Sequence, residues 1–309
     1  STDALEQLMQ GLRQRLDFSP TIEATMEANP GSAEAEKFES FFNAGINRLS
    51  LGIQSFQDKQ LEALGRIHNS DQAHAAIEMA KSAGFKQLNL DLMHGLPNQS
   101  IENASSDLRS ALAHNPSHLS WYQLTIEPNT KFYNAPPMLP VEDTLANIQE
   151  QGERLLRGAG LTQYEVSAWS KPGFTCRHNT NYWHFGDYLA IGAGAHGKIT
   201  NKENGVLRYA KRRQPNEYLS SAGGSYLSQS RRLDPAEISG EFMLNALRLN
   251  EGFSLEQFES YTGLTLQHLE PQLSILCEKD LLSLNDGRIR TTELGRRFLD
   301  SVVGDFFND

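Results

Sequence analysis

Strand-like and helix-like segments alternate through the first 126 residues of the chain. The helical segments carry apolar residues at helical spacing, and two of them end at Gly45 and Gly84. The predicted strands occupy 21–28, 47–53, 87–93 and 119–126, and the predicted helices occupy 2–16, the stretch before Gly45, 58–64, 70–83 and 101–113. Alternation at this spacing predicts βαβ units and a parallel sheet.

Two of the predicted strands, 49–53 and 88–92, alternate apolar residues with small or polar ones. A doubly wound sheet, covered by helices on both faces, has continuous apolar strands instead. The alternation therefore favours a barrel with a functional interior. In barrels the chemistry collects at the carboxyl ends of the strands, where this chain places Glu27, Gln54 and Asp91.

The remainder of the chain has a different organisation. After a proline-rich stretch we predict a helix at 141–158, a strand at 164–169 and a compact aromatic segment at 176–198. A composition shift near Asp234 opens a C-terminal unit with predicted helices at 236–249, 254–261 and 265–280 and a hairpin at 281–291. This order is typical of a winged helix. The predicted segments are thus 1–170, 171–234 and 235–309.

Composition excludes several classes of protein. The chain has 28 Lys and Arg against 38 Asp and Glu, and a net charge of −10 argues against a general nucleic-acid binder. No run of about 18 apolar residues is present, which excludes a membrane span, and no signal peptide is recognisable. We therefore expect a cytoplasmic protein. Two cysteines cannot by themselves build a zinc ribbon, a cysteine-held iron–sulfur cluster or a disulfide scaffold.

A first group of candidate site residues is Glu27, Gln54, Arg66 and Asp91. Carboxylates accept from ammonium and hydroxyl donors, and a guanidinium binds a carboxylate in a bidentate fork. The group is therefore suited to a zwitterionic amino acid and a ribose. The alternative for each residue taken alone is a surface polar side chain or a helix cap.

A second group lies in the aromatic segment, where His178, Tyr182, Trp183 and His184 follow Cys176 closely. An imidazole flanked by aromatic faces is what an axial heme ligand and its stacking wall need. The alternative is a packed aromatic loop. A zinc site from Cys176, His178 and His184 matches no standard ligand spacing.

The segment from Gly192 to Gly197 satisfies G-x-G-x-x-G. A dinucleotide site needs a helix after this motif, but residues 198–205 are rich in turn formers, so we reject that interpretation. Close backbone approach to a large flat ligand, or simple tight turns, accounts better for the glycines.

The chain also contains several longer motifs in a fixed order. They are MEANPG at 26–31, NRLSLGIQSF at 47–56, LGRIH at 64–68, NLDLMHGLP at 89–97 and LSWY at 119–122. With them the chain resembles the radical S-adenosylmethionine (SAM) proteins related to oxygen-independent coproporphyrinogen III oxidase. Within that group, IEPNT at 126–130 and HNTNYW at 178–183 resemble the heme-chaperone branch. The resemblance covers nearly the whole chain.

The resemblance implies a fold and a set of roles. The fold is α/β, an incomplete TIM-like βα barrel of radical SAM type with a C-terminal, mainly α, winged-helix-like domain. For SAM, it implies that Glu27 binds the methionine amino group, that Gln54, Arg66 and Asp91 contact the ribose and carboxylate region, and that Tyr122 and Leu124 line the adenine. For heme, it implies that the binding motif comprises His178, Asn179, Tyr182 and Trp183. The hypothesis for the iron ligand is His178.

The chain departs from the family at its start. Family members carry a Cys-x3-Cys-x2-Cys loop for a [4Fe–4S] cluster and two barrel strands that this sequence lacks. We expect the cluster ligands and these strands to lie upstream of Ser1. Without them, the strand at 21–28 is an open sheet edge.

The resemblance implies a heme chaperone that binds heme and hands it to respiratory apoproteins at the membrane, with possible peripheral membrane association and a possible homodimer. One alternative is a coproporphyrinogen oxidase-like enzyme of porphyrin biosynthesis, which leaves enzymatic activity open. Another is a DNA-binding winged-helix regulator, which the net charge and the acidic residues Glu251, Glu256, Glu259 and Glu270 oppose. We expect no nucleic-acid partner.

Overall fold

The computed structural model describes residues 1–32, 35–201, 203, 205–221 and 223–307. The chain divides into two compact units, Ser1–Cys176 and Arg177–Asp309. Residues 202 and 204 of the turn-rich stretch, and 308–309 of the C-terminal segment, lie outside the described residues. The division of the chain at 170 and 234 stays a prediction. None of the described helices combines the length and apolar character that crossing a membrane requires.

The first unit is an α/β fold around one six-stranded sheet. Its strands are β1 (Thr25–Ala28), β2 (Arg48–Gln54), β3 (Gln87–His94), β4 (His118–Gln123), β5 (Thr162–Gln163) and β6 (Ala168–Ser170). Its helices are α1 (Thr2–Arg13), α2 (Ala35–Ala44), α3 (Asp58–Ala63), α4 (Ser70–Ser82), α5 (Ile101–Ala113), α6 (Lys131–Asn134) and α7 (Glu142–Gly158), with a 3-10 turn at Pro30–Ser32.

Strands β1 to β4 pair in parallel in chain order, which confirms the parallel sheet. The sheet then continues through β6, antiparallel to β4, and ends at β5. The single strand predicted at 164–169 is wrong. The chain turns there instead, with the Ser167 backbone N–H bonded to the Glu165 carboxylate, so β5 and β6 form a small hairpin.

Strand β2 is buried on both of its faces. Leu49, Leu51 and Ile53 are inaccessible and pack in the main apolar core with residues of α4. Successive side chains of a strand point to opposite faces. The alternate residues Ser50 and Gln54 are therefore directed away from that core, yet they too are buried. The alternation seen in the sequence thus separates an apolar buried face from a polar buried face.

The second unit combines a three-stranded antiparallel sheet with a helical C-terminal part. The sheet strands are β7 (His196–Asn201), β8 (Gly205–Lys211) and β9 (Leu227–Arg232), and the helices before Asp234 are α8 (Arg177–Trp183) and α9 (Pro215–Ser220). This sheet was not predicted from the sequence. Every residue of β9 is exposed, so the strand has no buried face that an alternating apolar pattern would mark.

The C-terminal part has winged-helix order. Its elements are α10 (Pro235–Ala246), β10 (Phe253–Ser254), α11 (Leu255–Thr262), α12 (Gln272–Glu278), β11 (Leu282–Asn285), β12 (Arg288–Thr291), α13 (Glu293–Arg297) and α14 (Leu299–Gly304). The predicted hairpin is present as β11 and β12, and β10 adds a third strand beside β12. The helix predicted at 265–280 is wrong: a 3-10 turn at Leu266–Leu269 precedes α12, because Pro271 lacks the N–H that a continuous helix needs.

Two glycines of α7 give a paired test of the packing in the first unit. A Cβ at Gly152 would lie 1.9 Å from the buried ring of Trp121, whereas a Cβ at Gly158 meets nothing within 4 Å. We expect Gly152→Ala to lower the free energy of unfolding by about 1–3 kcal/mol through overpacking. Gly158→Ala serves as the control and is expected to raise it by up to about 1 kcal/mol through helix propensity. Urea unfolding measures both, and equal effects of the two substitutions would contradict the packing.

Candidate functional site

The polar face of the parallel sheet carries one aligned row of side chains. Glu27 on β1 is paired in register with Ser50 on β2, Ser50 with Asn89 on β3, and Asn89 with His118 on β4. Because residues in register share a face, these four side chains point to the same side of the sheet. The strand alternation therefore builds a continuous polar surface.

Asp91 lies inside β3, which continues to His94, and not at the strand end that the sequence predicted. Hydrogen bonds fix Asp91 on this surface. Its Oδ2 accepts from the Ser50 hydroxyl at 2.9 Å, and its Oδ1 accepts from the Asn89 amide at 2.7 Å. Burial raises the pKa of Asp91, and the hydrogen bonds from Ser50, Asn89 and Ser120 oppose that rise. A carboxylate with two oxygens retains acceptor positions beyond these bonds, so Asp91 can still receive a ligand hydroxyl.

Gln54 and Tyr122 meet at the carboxyl edge of the sheet. The Tyr122 hydroxyl donates to Gln54 Oε1 at 2.7 Å, and Gln54 has a positive φ of 69° at the end of β2. Burial is the main cause that raises the pKa of Tyr122. A Cβ at Gly52 would lie 3.0 Å from Gln54 Nε2, so glycine at that position leaves room for the amide. Leu124 is buried just after β4, where its N–H donates to the His94 carbonyl at 2.8 Å.

Glu27 and Arg66 contribute exposed charges at the same edge. Neither side chain makes a hydrogen bond or ion pair with any residue in the described part of the chain. Arg66 nevertheless lies near enough to Tyr122 for its positive charge to counteract the rise in the pKa of that phenol. The uncommitted carboxylate of Glu27 and the uncommitted guanidinium of Arg66, together with Gln54 and Asp91, are the set of groups that a zwitterion and a ribose require. The residues present therefore fit SAM.

The interior contains polar groups that sequence reasoning did not single out. His118 bonds through Nδ1 to Asn89 Oδ1 at 2.6 Å and through Nε2 to the Tyr164 hydroxyl at 2.8 Å. Burial, and then the charge of Arg48, lower the pKa of His118 well below its ordinary range, so its imidazole is neutral. Arg48 is itself only 1% exposed. The alternation of apolar and polar residues could have identified these groups, because Arg48, Asn89 and His118 all lie at polar positions of the strands.

His94 ends β3 at this edge of the sheet. Its ring packs on Trp121 with 4.2 Å between ring centroids. Burial lowers the pKa of His94 from 6.5 to about 4. The His94 imidazole is therefore neutral and structural at ordinary pH.

The heme-type motif forms a short helix, not a loop. His178, Asn179, Tyr182 and Trp183 all lie on α8. The rings of His178 and Tyr182 meet edge to face at 4.7 Å, and those of Tyr182 and Tyr188 at 4.6 Å. Within the described residues, no group of three His, Cys, Asp or Glu side chains is arranged to hold a metal ion.

Two adjoining cavities of about 430 and 320 Å³ open beside α8 in the second unit. We call them together the aromatic cleft. Both are lined by Tyr188, His196 and Arg208, and the smaller one also by Tyr182 and Trp183. Sequence reasoning assigned no role to Tyr188, His196 or Arg208, because the sheet that brings them together was not predicted.

The glycine-rich segment before β7 has the geometry of tight turns. Gly192 and Gly194 have positive φ values of 101° and 72°. A Cβ at Gly197 would lie 2.2 Å from the Tyr209 ring. A strand, β7, follows the motif and not a helix, which agrees with the rejection of a dinucleotide site.

Comparisons with known proteins agree on one family. Residues 3–110 match the Radical SAM superfamily, and residues 233–298 match the HemN C-terminal domain. A protein of Haemophilus influenzae named heme chaperone HemW is 46% identical over 309 residues, spanning 100% of this chain and 80% of the relative. The Escherichia coli protein of the same name is 46% identical over 303 residues, spanning 98% and 79%. A mouse protein named radical S-adenosyl methionine domain-containing protein 1, mitochondrial, is 31% identical and spans 96% and 70%.

A solved structure supports the same fold. The coproporphyrinogen III oxidase HemN of Escherichia coli, described as a radical SAM enzyme, matches with a TM-score of 0.80. The match covers 100% of this chain and 75% of that one, at 19% sequence identity. It therefore shows the fold, and both units have counterparts in it.

The lowered pKa of His94 predicts a pH dependence of stability. Between its ordinary pKa of 6.5 and the folded value of about 4, the unfolded chain binds a proton that the folded chain does not. Stability present above pH 6.5 is therefore lost as the pH falls toward 4, by roughly 3 kcal/mol from this group. We expect His94→Gln to flatten this part of the profile of unfolding free energy against pH.

The control for this substitution is His268→Gln, which changes an exposed imidazole of the second unit. Urea unfolding at several pH values, followed by tryptophan fluorescence, gives the profile. If His94→Gln and the unmutated chain lose stability with the same slope between pH 6.5 and 4, burial of a neutral His94 is wrong.

Proposed function

The chain belongs to the HemW family of heme chaperones within the radical SAM superfamily, and on that basis we propose that it binds heme and delivers it to respiratory heme proteins. The observation that carries the proposal is the aromatic helix α8 beside a cleft of porphyrin-compatible size. The proposed setting is the cytoplasm, with a peripheral encounter at the membrane where respiratory apoproteins reside.

For heme, the proposed contacts come from α8. Tyr182 and Trp183 line the cleft and offer flat rings against which a porphyrin can stack. Asn179 lies on the same helix, and His178, exposed at its first turn, is the proposed iron ligand. Heme is here the cargo, so the site needs to hold it reversibly.

For SAM, the proposed contacts are those of the sheet edge. Glu27 takes the amino group, Gln54, Arg66 and Asp91 take the ribose and carboxylate region, and Tyr122 and Leu124 line the adenine. Bound SAM supplies a sulfonium that radical SAM proteins cleave reductively at a [4Fe–4S] cluster. The described residues of this chain supply groups that bind SAM and no group of three metal-ligating side chains.

A coproporphyrinogen oxidase activity is not proposed. The likeness to HemN is at 19% identity and shows the fold alone. The relatives at 46% identity carry the chaperone name. Fold by itself does not determine function, since related scaffolds carry different sites.

Titration with hemin tests the heme proposal. We expect a Soret band that saturates with the chain, and weaker binding by about tenfold in His178→Ala, the factor for one lost interaction of about 1.4 kcal/mol. His184→Ala is the control, because His184 adjoins the motif without belonging to it. A His178→Ala protein with unchanged affinity and Soret position would show that His178 is not the ligand.

Delivery of heme is tested with the loaded protein. Heme-loaded chain is mixed with a membrane-embedded respiratory apoprotein, and the spectrum of the acceptor is followed. Appearance of the acceptor's holo spectrum supports a chaperone. Turnover of coproporphyrinogen, with no transfer of heme, would replace the proposal by the enzyme alternative.

Calorimetric titration with SAM tests the sheet-edge site. We expect Glu27→Gln and Arg66→Gln each to weaken SAM binding by about tenfold, because each removes one charge that complements the zwitterion. Glu62→Gln is the matched control, since Glu62 is an exposed carboxylate on α3 that is not among the residues assigned to SAM. Equal affinities of all three variants would refute this assignment of the amino-acid end of SAM.

A further inference from the structure

We propose that His196 supplies an axial imidazole to the iron of heme bound in the aromatic cleft. This inference rests on the proposed heme-binding function and names a ligand outside the motif on α8. It depends on three features of the second unit: the placement of His196, the availability of its ring nitrogens, and the chemistry of the cleft walls.

His196 is placed directly on the cleft. It is the first residue of β7 and lines both cavities. By contrast, His178 is not among the residues that line either cavity. The His178 ring contacts Tyr182, which in turn contacts Tyr188. His178 therefore lies behind residues of the cleft wall and not on the cleft itself.

The backbone that carries His196 is tightly held. His196 pairs with Ala210 in the β7–β8 ladder, and the adjacent pair is Gly197 with Tyr209. Gly197 packs flush against the Tyr209 ring, where a Cβ would lie 2.2 Å away. The backbone position of His196 at the cleft is therefore set before any ligand binds.

The imidazole of His196 is available for coordination. The side chain is exposed and makes no hydrogen bond, ion pair or ring contact in the part of the second unit that the structure describes. A neutral imidazole carries a lone pair on one ring nitrogen. Metal-binding histidines use this lone pair, and at His196 no protein group competes for it.

The walls of the cleft suit a flat, largely apolar ligand with acidic groups. Tyr182, Trp183 and Tyr188 line the smaller cavity together with His196. The volumes of the two cavities lie within the range of small-molecule sites. The sheet therefore brings an imidazole into a cavity that also presents aromatic rings.

A guanidinium that lines the cleft can receive a propionate group. Arg208 is held in place by Glu241 and by the Tyr188 hydroxyl, so a fixed guanidinium faces the same space.

The test is hemin titration of the unmutated chain, His196→Ala, His178→Ala and the double variant, with a control variant beside them. We expect His196→Ala to shift the Soret band and to weaken hemin binding by about tenfold, and free imidazole to restore the Soret position by filling the vacated space. Because the His196 side chain is exposed and makes no bonds, we expect the far-ultraviolet circular dichroism of this variant to be unchanged. His268→Ala, at an exposed imidazole that does not line the cleft, is the control.

Each outcome decides the proposal. An unchanged Soret band and affinity in His196→Ala overturn it, even when His178→Ala loses heme, and the heme-binding function then stands without it. A shifted band that imidazole does not restore also overturns ligation by His196. If the unmutated chain binds no hemin, both the proposed function and this inference fail.

Discussion

Parallel pairing of β1 to β4 in register is the constraint on which the first unit depends. It aligns Glu27, Ser50, Asn89 and His118 across neighbouring strands and brings the strand ends to one edge. The hydrogen bonds of Asp91 exist only in this register, since a one-residue slip of β2 would turn Ser50 toward the apolar core. The same slip would direct Leu49 or Leu51 into the polar interior. A single register of β2 is therefore required by both the apolar core and the candidate site.

The polar interior carries a cost that hydrogen bonds offset for Asn89 and His118. They do not offset it for Arg48, whose Nη1 is buried without a hydrogen-bond partner among the described residues. Arg48, Asn89 and His118 are all buried, and an unpaired buried polar group destabilises a fold. Asn89 links Ser50, Asp91 and His118 in one network, which holds each group in a single orientation. This hydrogen-bonded network lies below Gln54 and Tyr122, which are bonded to each other at the edge of the sheet. A ligand that binds there does not have to order these two side chains.

In the second unit the corresponding constraint is the antiparallel sheet of β7, β8 and β9. It brings His196 and Arg208 beside Tyr188 and, through the smaller cavity, beside the aromatic face of α8. The fold is shared with a coproporphyrinogen oxidase, so the scaffold alone does not distinguish a porphyrin enzyme from a heme carrier. What distinguishes them is the side chains that one scaffold presents to the porphyrin.

Sequence patterns were sufficient to predict the parallel sheet, the winged-helix order and the family, and they placed Glu27 and Gln54 near strand ends, because period-two alternation and motif order are local properties of the chain. They could not determine the break in the helix at Pro271, the hairpin at β5 and β6, or the sheet of β7 to β9, whose last strand is exposed throughout and carries no core pattern. The three-dimensional structure was needed to establish that Ser50 and Asn89 hold Asp91. It also established that His196 lines the aromatic cleft, whereas His178 contacts a residue of its wall, Tyr182. The physical reason is that such contacts join residues far apart in the chain, and their distances follow from strand register and packing, which no local pattern encodes.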